Sequence, residues 1–438
     1  MNRFSIKQLI YLLTITLAGV IFSVIFHFPL VIGFLPGYLV IVHLANRNNQ
    51  SFKQIVQISI RGVYKTRIVI LILFLVSFLL PSWYLSGTID QMVKIALYLI
   101  NPHYFYVLTF VAAMVFSMLL GTTVGTLSAI GIPILGTAVV LNLSTAVVAG
   151  ALVSGAFVGD RTSPFSSANQ LLAHTLELPV KKQWNAMFLT TIIAVVLSML
   201  FYGVFDFFST EKMIHTISFE WGELTFLKFI PPIILLVLVL FRLSIIYAFI
   251  SSVLSAAIIS LVDGGTVSEV GSAFWKGIEG LGGGFLHMYE LLLFLALAGA
   301  YNGLLEELNV IQPYLDKWLQ RSTSLTGDTL KTFSATLLIS VIAANQTLPI
   351  ILTGRSFLPH WKNHYGEEEL ARVMGDTTML FPGMVPWSVL AIMCSTIVGV
   401  PILEYLPYAL FLWVLPLITL MVSLFKHVKK SNKAAAAE

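Results

Sequence analysis

The sequence predicts an all-α polytopic membrane protein of about 10 to 13 transmembrane helices, in two structural repeats with broken or re-entrant helices at the centre. Three observations carry that expectation. Hydrophobic residues make up 57% of the chain's 438 and charged ones only 11%, against roughly 25% charged in an average soluble protein. Apolar runs of about 17 to 22 residues recur from end to end, each long enough to cross a hydrocarbon core of about 30 Å as a helix. Lipid cannot hydrogen-bond a bare backbone, so spanning segments must be helices or closed barrels, and continuous apolar runs lack the alternation of barrel strands.

Taken in order, candidate spans fall near residues 9–28, 29–45, 68–86, 104–120, 126–141, 144–159, 185–205, 225–241, 243–262, 286–305, 330–353, 384–400 and 404–425. The first has a basic flank, Arg3 and Lys7, but its apolar run is long and no small-x-small cleavage pattern follows, so it reads as a span and not a leader. Segment 46–67 carries Arg47, Lys53, Arg61, Lys65 and Arg67 with no acid, and reads as an amphipathic cytoplasmic segment. The connecting loop 206–224 holds Asp206, Glu211, Glu220 and Glu223 against Lys212 and is expected outside. Lys426, Lys429, Lys430 and Lys433 mark a basic cytoplasmic tail over 426–438, which puts both termini inside the cell. The net charge of +4 arises from these span-flanking clusters, so topology accounts for it and nucleic acid is not an expected partner. Cys394, the single cysteine, lies in an apolar run, which leaves no disulfide framework and no Cys-based metal site.

The two halves, 1–205 and 225–425, echo each other. In the first, Ile60-Arg61-Gly62-Val63 leads to an apolar span, then to a break at Gly121-Thr-Thr-Val-Gly125, then to Gly159-Asp160. In the second, Trp275-Lys276-Gly277-Ile278 leads to an apolar span, then to Ala344-Asn345-Gln346-Thr347, then to Gly375-Asp376. Carriers are commonly built from such repeats, with the transported species bound where the halves meet.

Polar groups cluster at these landmarks. An apolar run enters Asp160 and Arg161, passes Ser163 to meet Pro164, and resumes through Ser166, Ser167, Asn169 and Gln170. Charges at membrane depth cost about 2.5 to 3.5 kcal/mol each on insertion scales, so they face cavities and mark pathways. Where a helix unwinds, freed carbonyls and helix ends can coordinate a small ion. Asn345, Gln346 and Thr347 interrupt a second run ahead of Pro349, and Asp376 is followed by Thr377, Thr378 and Pro382. Thr122 and Thr123 sit in the first break, where a small-x-x-x-small packing face is the competing reading. Arg161 and Arg355 are the candidate charge partners, and Asp160, Asp376 and Asn345 the candidate sodium ligands. Glu290, near a span end, reads as an interfacial residue. His360 and His364, four apart in a polar stretch with Glu367 to Glu369, read as a solvated connector and not a metal site. No Walker loop, dinucleotide fingerprint or Ser-His-Asp motif is present, which disfavours an ATP-driven pump; neither an enzyme nor a cofactor is expected.

The stretches GAFVGDRTSPFSS, LTGRSF, MVPW and VPILEYLPYAL together resemble the NhaC-type sodium/proton antiporter family over most of the chain. The resemblance implies a multi-pass bacterial plasma-membrane antiporter exchanging sodium for protons, within a group that includes sodium-coupled malate/lactate exchange and amino-acid carriers. A homodimer is a further expectation. Position by position it points to Asp160, Ser163, Pro164 and Ser166, and to Gly354, Arg355, Asp376, Pro386 and Trp387. The chain departs from the pattern at Ser167, Ala168-Asn169-Gln170, Asn345 and Gly375, where such proteins usually carry an acid, a Thr-Thr-Asn run, an Asp and an acid. The expectation is an alternating-access cation/proton antiporter working through Asp160, Asp376 or both. The alternative is a sodium- or proton-coupled carrier of a small carboxylate or amino acid held by Arg355 or Arg161, and a third is a non-transporting sensor.

Overall fold

A computed structural model describes residues 4–26, 28–99, 102–209, 225–279, 283–318 and 324–435. All the regular elements among them are helical. The first group comprises α1 (Ile6–Ile25), α2 (Leu30–Arg47), α3 (Phe52–Leu85), α4 (Thr88–Leu99), α5 (Phe105–Leu120), α6 (Thr123–Val140), α7 (Thr145–Thr162), α8 (Ser167–Thr175) and α9 (Val180–Ser209). Next come α10 (Ile230–Leu240), α11 (Ile245–Val262), α12 (Val267–Lys276), α13 (Phe285–Glu307) and α14 (Gln312–Trp318). The chain closes with α15 (Leu325–Ala343), α16 (Thr347–His364), α17 (Glu367–Asp376), α18 (Phe381–Met384), α19 (Val389–Val398), α20 (Ile402–Tyr405) and α21 (Leu410–Ala435).

Seven of these helices are long and apolar enough to cross a membrane, and nine spans result if two bent helix pairs each count as one. Each expected window overlaps a helix, but the helices at 105–120 and 226–240 are shorter than a full crossing and residues 344–346 split the window at 330–353. The hydropathy windows saw apolar length and not the breaks that divide it. Glu211, Lys212, Glu220 and Glu223 of the expected outer loop, and the side chains of Lys429, Lys430 and Lys433, lie outside what the structure describes.

Contacts between helix ends sort the bundle into two ends. At one, Tyr314 donates to the Phe4 carbonyl, Lys182 pairs with Glu368 at 3.9 Å, Lys362 with Glu177 at 3.7 Å, and Lys426 with Glu369. At the other, the Asp206 carboxylate accepts the Tyr106 and Val107 amides at 2.9 and 3.0 Å, and Lys228 pairs with Asp263 at 3.1 Å. We call the first the basic end, because Lys7, Arg47 and Lys53 also flank the helix termini there.

Glycines set the closest helix contacts. α3 and α13 run antiparallel with Gly62 against Gly299 and Gly303; a Cβ on Gly62 would lie 2.2 Å from the Gly299 carbonyl oxygen. Segment 46–67 is not a separate amphipathic element: from the Ser51–Gln54 capping box, α3 runs unbroken for 34 residues, and Gly62 lies inside it. By contrast, Gly277 ends α12 at φ +82°. The two Gly landmarks are thus not structural equivalents: one is a packing contact, the other a helix stop.

Two hairpins enter the bundle in opposite senses. α5 starts at the far end beside Ser144, turns at Gly121, and α6 returns to the far end, where Gly136 packs on Val93 of α4. α15 starts at the basic end, turns at Ala344–Gln346, and α16 returns to the basic end, where His360 meets Asp328 at 2.9 Å. Each hairpin precedes a broken path: α7 to α8 runs from the far end to the basic end, and α17 to α19 runs the other way with a 60° bend.

Candidate functional site

The breaks meet. Gly121 ends α5 in the left-handed region (φ +67°), and a Cβ there would lie 2.6 Å from the Phe165 carbonyl carbon, so only glycine lets the α5–α6 turn press against the α7–α8 break. Thr122 caps α6 by accepting the Gly125 amide at 3.4 Å. Its role is therefore a helix start, with packing secondary. Ser163 donates to the Met118 carbonyl at 2.8 Å, and Ser166 caps α8 by accepting the Asn169 amide at 3.2 Å.

Asp160 lies in the last turn of α7, 8% exposed. Gln346, at the α15–α16 break, donates to its Oδ2 at 3.3 Å and to the Met379 carbonyl at 2.9 Å, joining three breaks through one side chain. The Thr123 backbone amide and the Ser166 hydroxyl lie beside the same carboxylate. Thr123 is the first residue of α6 and Ser166 precedes α8, so two positive helix N-termini face Asp160. No Lys or Arg pairs with it among the described residues.

Asp376 is different. One helix position after Asp160, Arg161 projects to another side and forms a fully buried ion pair with Asp376. Its Nε also donates to the Gly375 carbonyl at 2.9 Å and its Nη1 to Thr191 at 2.6 Å; the Thr190 hydroxyl lies 3.2 Å from Asp376 Oδ1. A Cβ at Gly375 would lie 2.2 Å from Met187 Sδ, so a larger residue there would have to displace the Met187 side chain between α17 and α9. Isolated buried charges cost several kcal/mol each, and a hydrogen-bonded pair is how a bundle interior tolerates them. The pair cancels, leaving Asp160 as the net charge of the site.

The other expected residues divide. Asn345 accepts the Leu348 amide at 2.9 Å and so caps α16, one residue from Gln346. Asn169 is fully buried, donates to the Ser163 carbonyl at 3.1 Å and accepts from Gln183 of α9, holding the break in place. Thr377 is buried and donates to the Val373 carbonyl at 2.6 Å. Ser167 is exposed on α8, and Arg355 is exposed on α16 without an ion pair among the described residues, so neither joins the site. Glu290 is exposed, bonded to Tyr289 at 3.1 Å. Sequence reasoning missed Thr190, Thr191, Gln183 and Arg372. Arg372 is 2% exposed and held by Glu369, Thr419 and Ser423. Polar residues inside otherwise apolar windows were the available signal for Thr190 and Thr191.

A helical bundle whose broken helices bring a carboxylate, amides and hydroxyls to a shared point has the architecture of a secondary carrier of small ions or solutes. Residues 170–426, more than half of the chain, match the model of the Na+/H+ antiporter family, and the chain belongs to that family. It is 26% identical over 379 residues to the Na(+)/H(+) antiporter NhaC of Bacillus subtilis, covering 82% of this chain and 84% of that protein. It is 25% identical over 428 residues to the Malate-2H(+)/Na(+)-lactate antiporter of the same organism, covering 93% of this chain and 91% of that protein. The Na(+)/H(+) antiporter NhaC of Alkalihalophilus pseudofirmus is 24% identical over 80% of each chain. The protein is accordingly a multi-pass membrane transporter and not an enzyme, a divergent NhaC-type member.

Proposed function

We propose that the protein exchanges sodium for protons by alternating access, with Asp160 as the carboxylate for which the two compete. One observation carries this reading: Asp160 is a buried carboxylate at the meeting of the helix breaks with which no Lys or Arg pairs among the described residues, while Arg161 occupies Asp376. A sodium ion takes oxygen ligands; the Ser166 hydroxyl stands beside this carboxylate, and the Met379 carbonyl accepts from the same Gln346 amide that bonds it. When a proton neutralises Asp160 instead, the same site carries no net charge, so each occupant excludes the other.

The opposite senses of the α5–α6 and α15–α16 hairpins, and of the broken paths after them, support an inverted repeat of the halves 1–205 and 225–425. The basic end is the cytoplasmic side in this reading, and both termini lie there. The bilayer surrounds the bundle, and association into a homodimer is tested by light scattering of the solubilised protein.

The test is proton movement in proteoliposomes under an imposed sodium gradient. Sodium-dependent collapse of a pH gradient, lost in Asp160→Asn, is the expected result. Sodium-independent counterflow of a labelled small carboxylate would replace this reading with organic-solute exchange. The structure disfavours that outcome, because the guanidinium at the site is already committed to Asp376.

A further inference from the structure

A second feature lies one residue from the site. A cavity of about 420 Å³ opens between α3, α13 and the start of α16. Lys65 and Glu306, an exposed ion pair at 2.8 Å, and the exposed Thr347 line its outer part, and the half-buried Asn302 and Asn345 its inner part. Asn345 precedes Gln346, whose amide bonds Asp160, so the cavity reaches the α15–α16 break one residue from the residue that holds the carboxylate.

Two details mark the inner part. Asn302 donates its Nδ2 to the Ala343 carbonyl at 2.7 Å, while its Oδ1 is buried without a protein partner. A buried amide oxygen without a partner costs free energy of the size of a lost hydrogen bond, so such an atom calls for an explanation. Beside it the chain turns through Ala344 in the left-handed region (φ +52°), an uncommon conformation for alanine, and the Ala344 carbonyl accepts the Val389 amide at 2.8 Å. Asn302 thus grips the break with its nitrogen and leaves its buried oxygen unpartnered at the same place.

We propose that this cavity is the cation's access vestibule from the basic end and that Asn302 is a cation-binding residue within it, where the ion sheds water before reaching Asp160. Lys65 and Glu306 pair at the mouth, so the entrance carries no net charge from them. The inner part supplies neutral oxygens from Asn302 and Asn345, the ligand type a hard cation takes. Neutral ligands suit a waiting station, since an ion held by a full charge there would not move on. This inference rests on the sodium/proton reading above.

The test pairs a kinetic and a chemical measurement. Asn302→Ala should raise the apparent KM for sodium about tenfold with the maximal rate little changed, the cost of losing one direct oxygen ligand. A purely structural role would lower the maximal rate or the yield and leave KM alone. Thr66→Cys in a Cys394→Ala background should react with an impermeant thiol reagent from the basic end only, and sodium should slow the reaction. Wild-type sodium/proton exchange combined with an unchanged KM in Asn302→Ala, or with labelling that sodium does not slow, overturns the vestibule alone. If the wild type moves no protons in response to sodium, both the vestibule and the antiport reading fall. If Asn302→Ala does not insert, Asn302→Ser and the labelling result decide.

Discussion

Arg161 and Asp376 stand 215 residues apart in the chain and form an ion pair in which neither side chain has any exposure. The pair ties the last turn of α7 to the last turn of α17, one from each half. It also separates the two aspartates: Asp376 is held by a guanidinium, and Asp160 has hydrogen bonds but no Lys or Arg partner among the described residues.

The pair should couple strongly in stability. Asp376→Asn leaves a buried guanidinium uncompensated, and Arg161→Met leaves a buried carboxylate; each should cost roughly 3–5 kcal/mol. The double variant removes both charges, so it should be more stable than the sum of the single effects. Thermal unfolding in detergent of the four proteins in the cycle measures this, and strictly additive losses would show that the contact carries no coupling energy.

The α5–α6 turn should depend on Gly121 for space as well as conformation. Gly121 and Gly399 have almost the same φ, +67° and +68°, but a Cβ on Gly121 would meet the Phe165 backbone at 2.6 Å while one on Gly399 would meet nothing within 4 Å. Gly399→Ala should cost only the left-handed penalty, about 1–2 kcal/mol, and keep transport. Gly121→Ala should cost more and reduce transport, because the clash pushes apart the breaks around Asp160. Equal stability of the two variants would refute the close approach.

Much of this was legible in the sequence, for physical reasons that differ by level. The apolar windows showed because lipid demands them, and the breaks at Gly121, Pro164 and Asn345 showed because glycine, proline and runs of polar residues are costly inside a span. Asp160, Gln346, Thr123 and Ser166 all stand at or beside these breaks, and they meet in the structure. The partner of Arg161 was not, since nothing local in the chain records a contact across 215 residues. Within a break there is no helical period to say which way a side chain points. Ser166 and Ser167 read alike in sequence, yet one caps α8 beside Asp160 and the other faces outward. Arg355 failed for the same reason: Gly354 packs on Thr175 while its neighbour turns to the surface.

The orientation of the bundle is open to direct labelling. Gln57 is exposed near the start of α3 at the basic end. A cysteine placed there should react with an impermeant reagent in inverted vesicles and stay unreactive in intact cells, because the surrounding Lys53, Arg61 and Arg67 should hold this end in the cytoplasm. Reaction in intact cells would reverse the orientation of both termini.

The mechanism predicts a ranking among acids. Asp160→Asn keeps the side chain's shape, and Gln346 can still bond to the amide oxygen, so the protein should insert with close to wild-type stability. It removes the group for which sodium and proton compete, so exchange should vanish at every pH tested. Gln346→Ala deletes one hydrogen bond to a charged group and the link to Met379, which should weaken apparent sodium affinity by about tenfold without abolishing exchange. Glu290→Gln alters an exposed carboxylate at the start of α13 and should transport like the wild type. Asp376→Asn should also lose transport, but by a different route: its loss should track the fall in folded protein, whereas Asp160→Asn should be folded and silent. Quantifying folded protein by size-exclusion chromatography alongside flux separates the two routes. Full exchange by folded Asp160→Asn would remove this aspartate from the coupling step and leave the Arg161–Asp376 pair, opening and closing with each cycle, as the place where the proton must act.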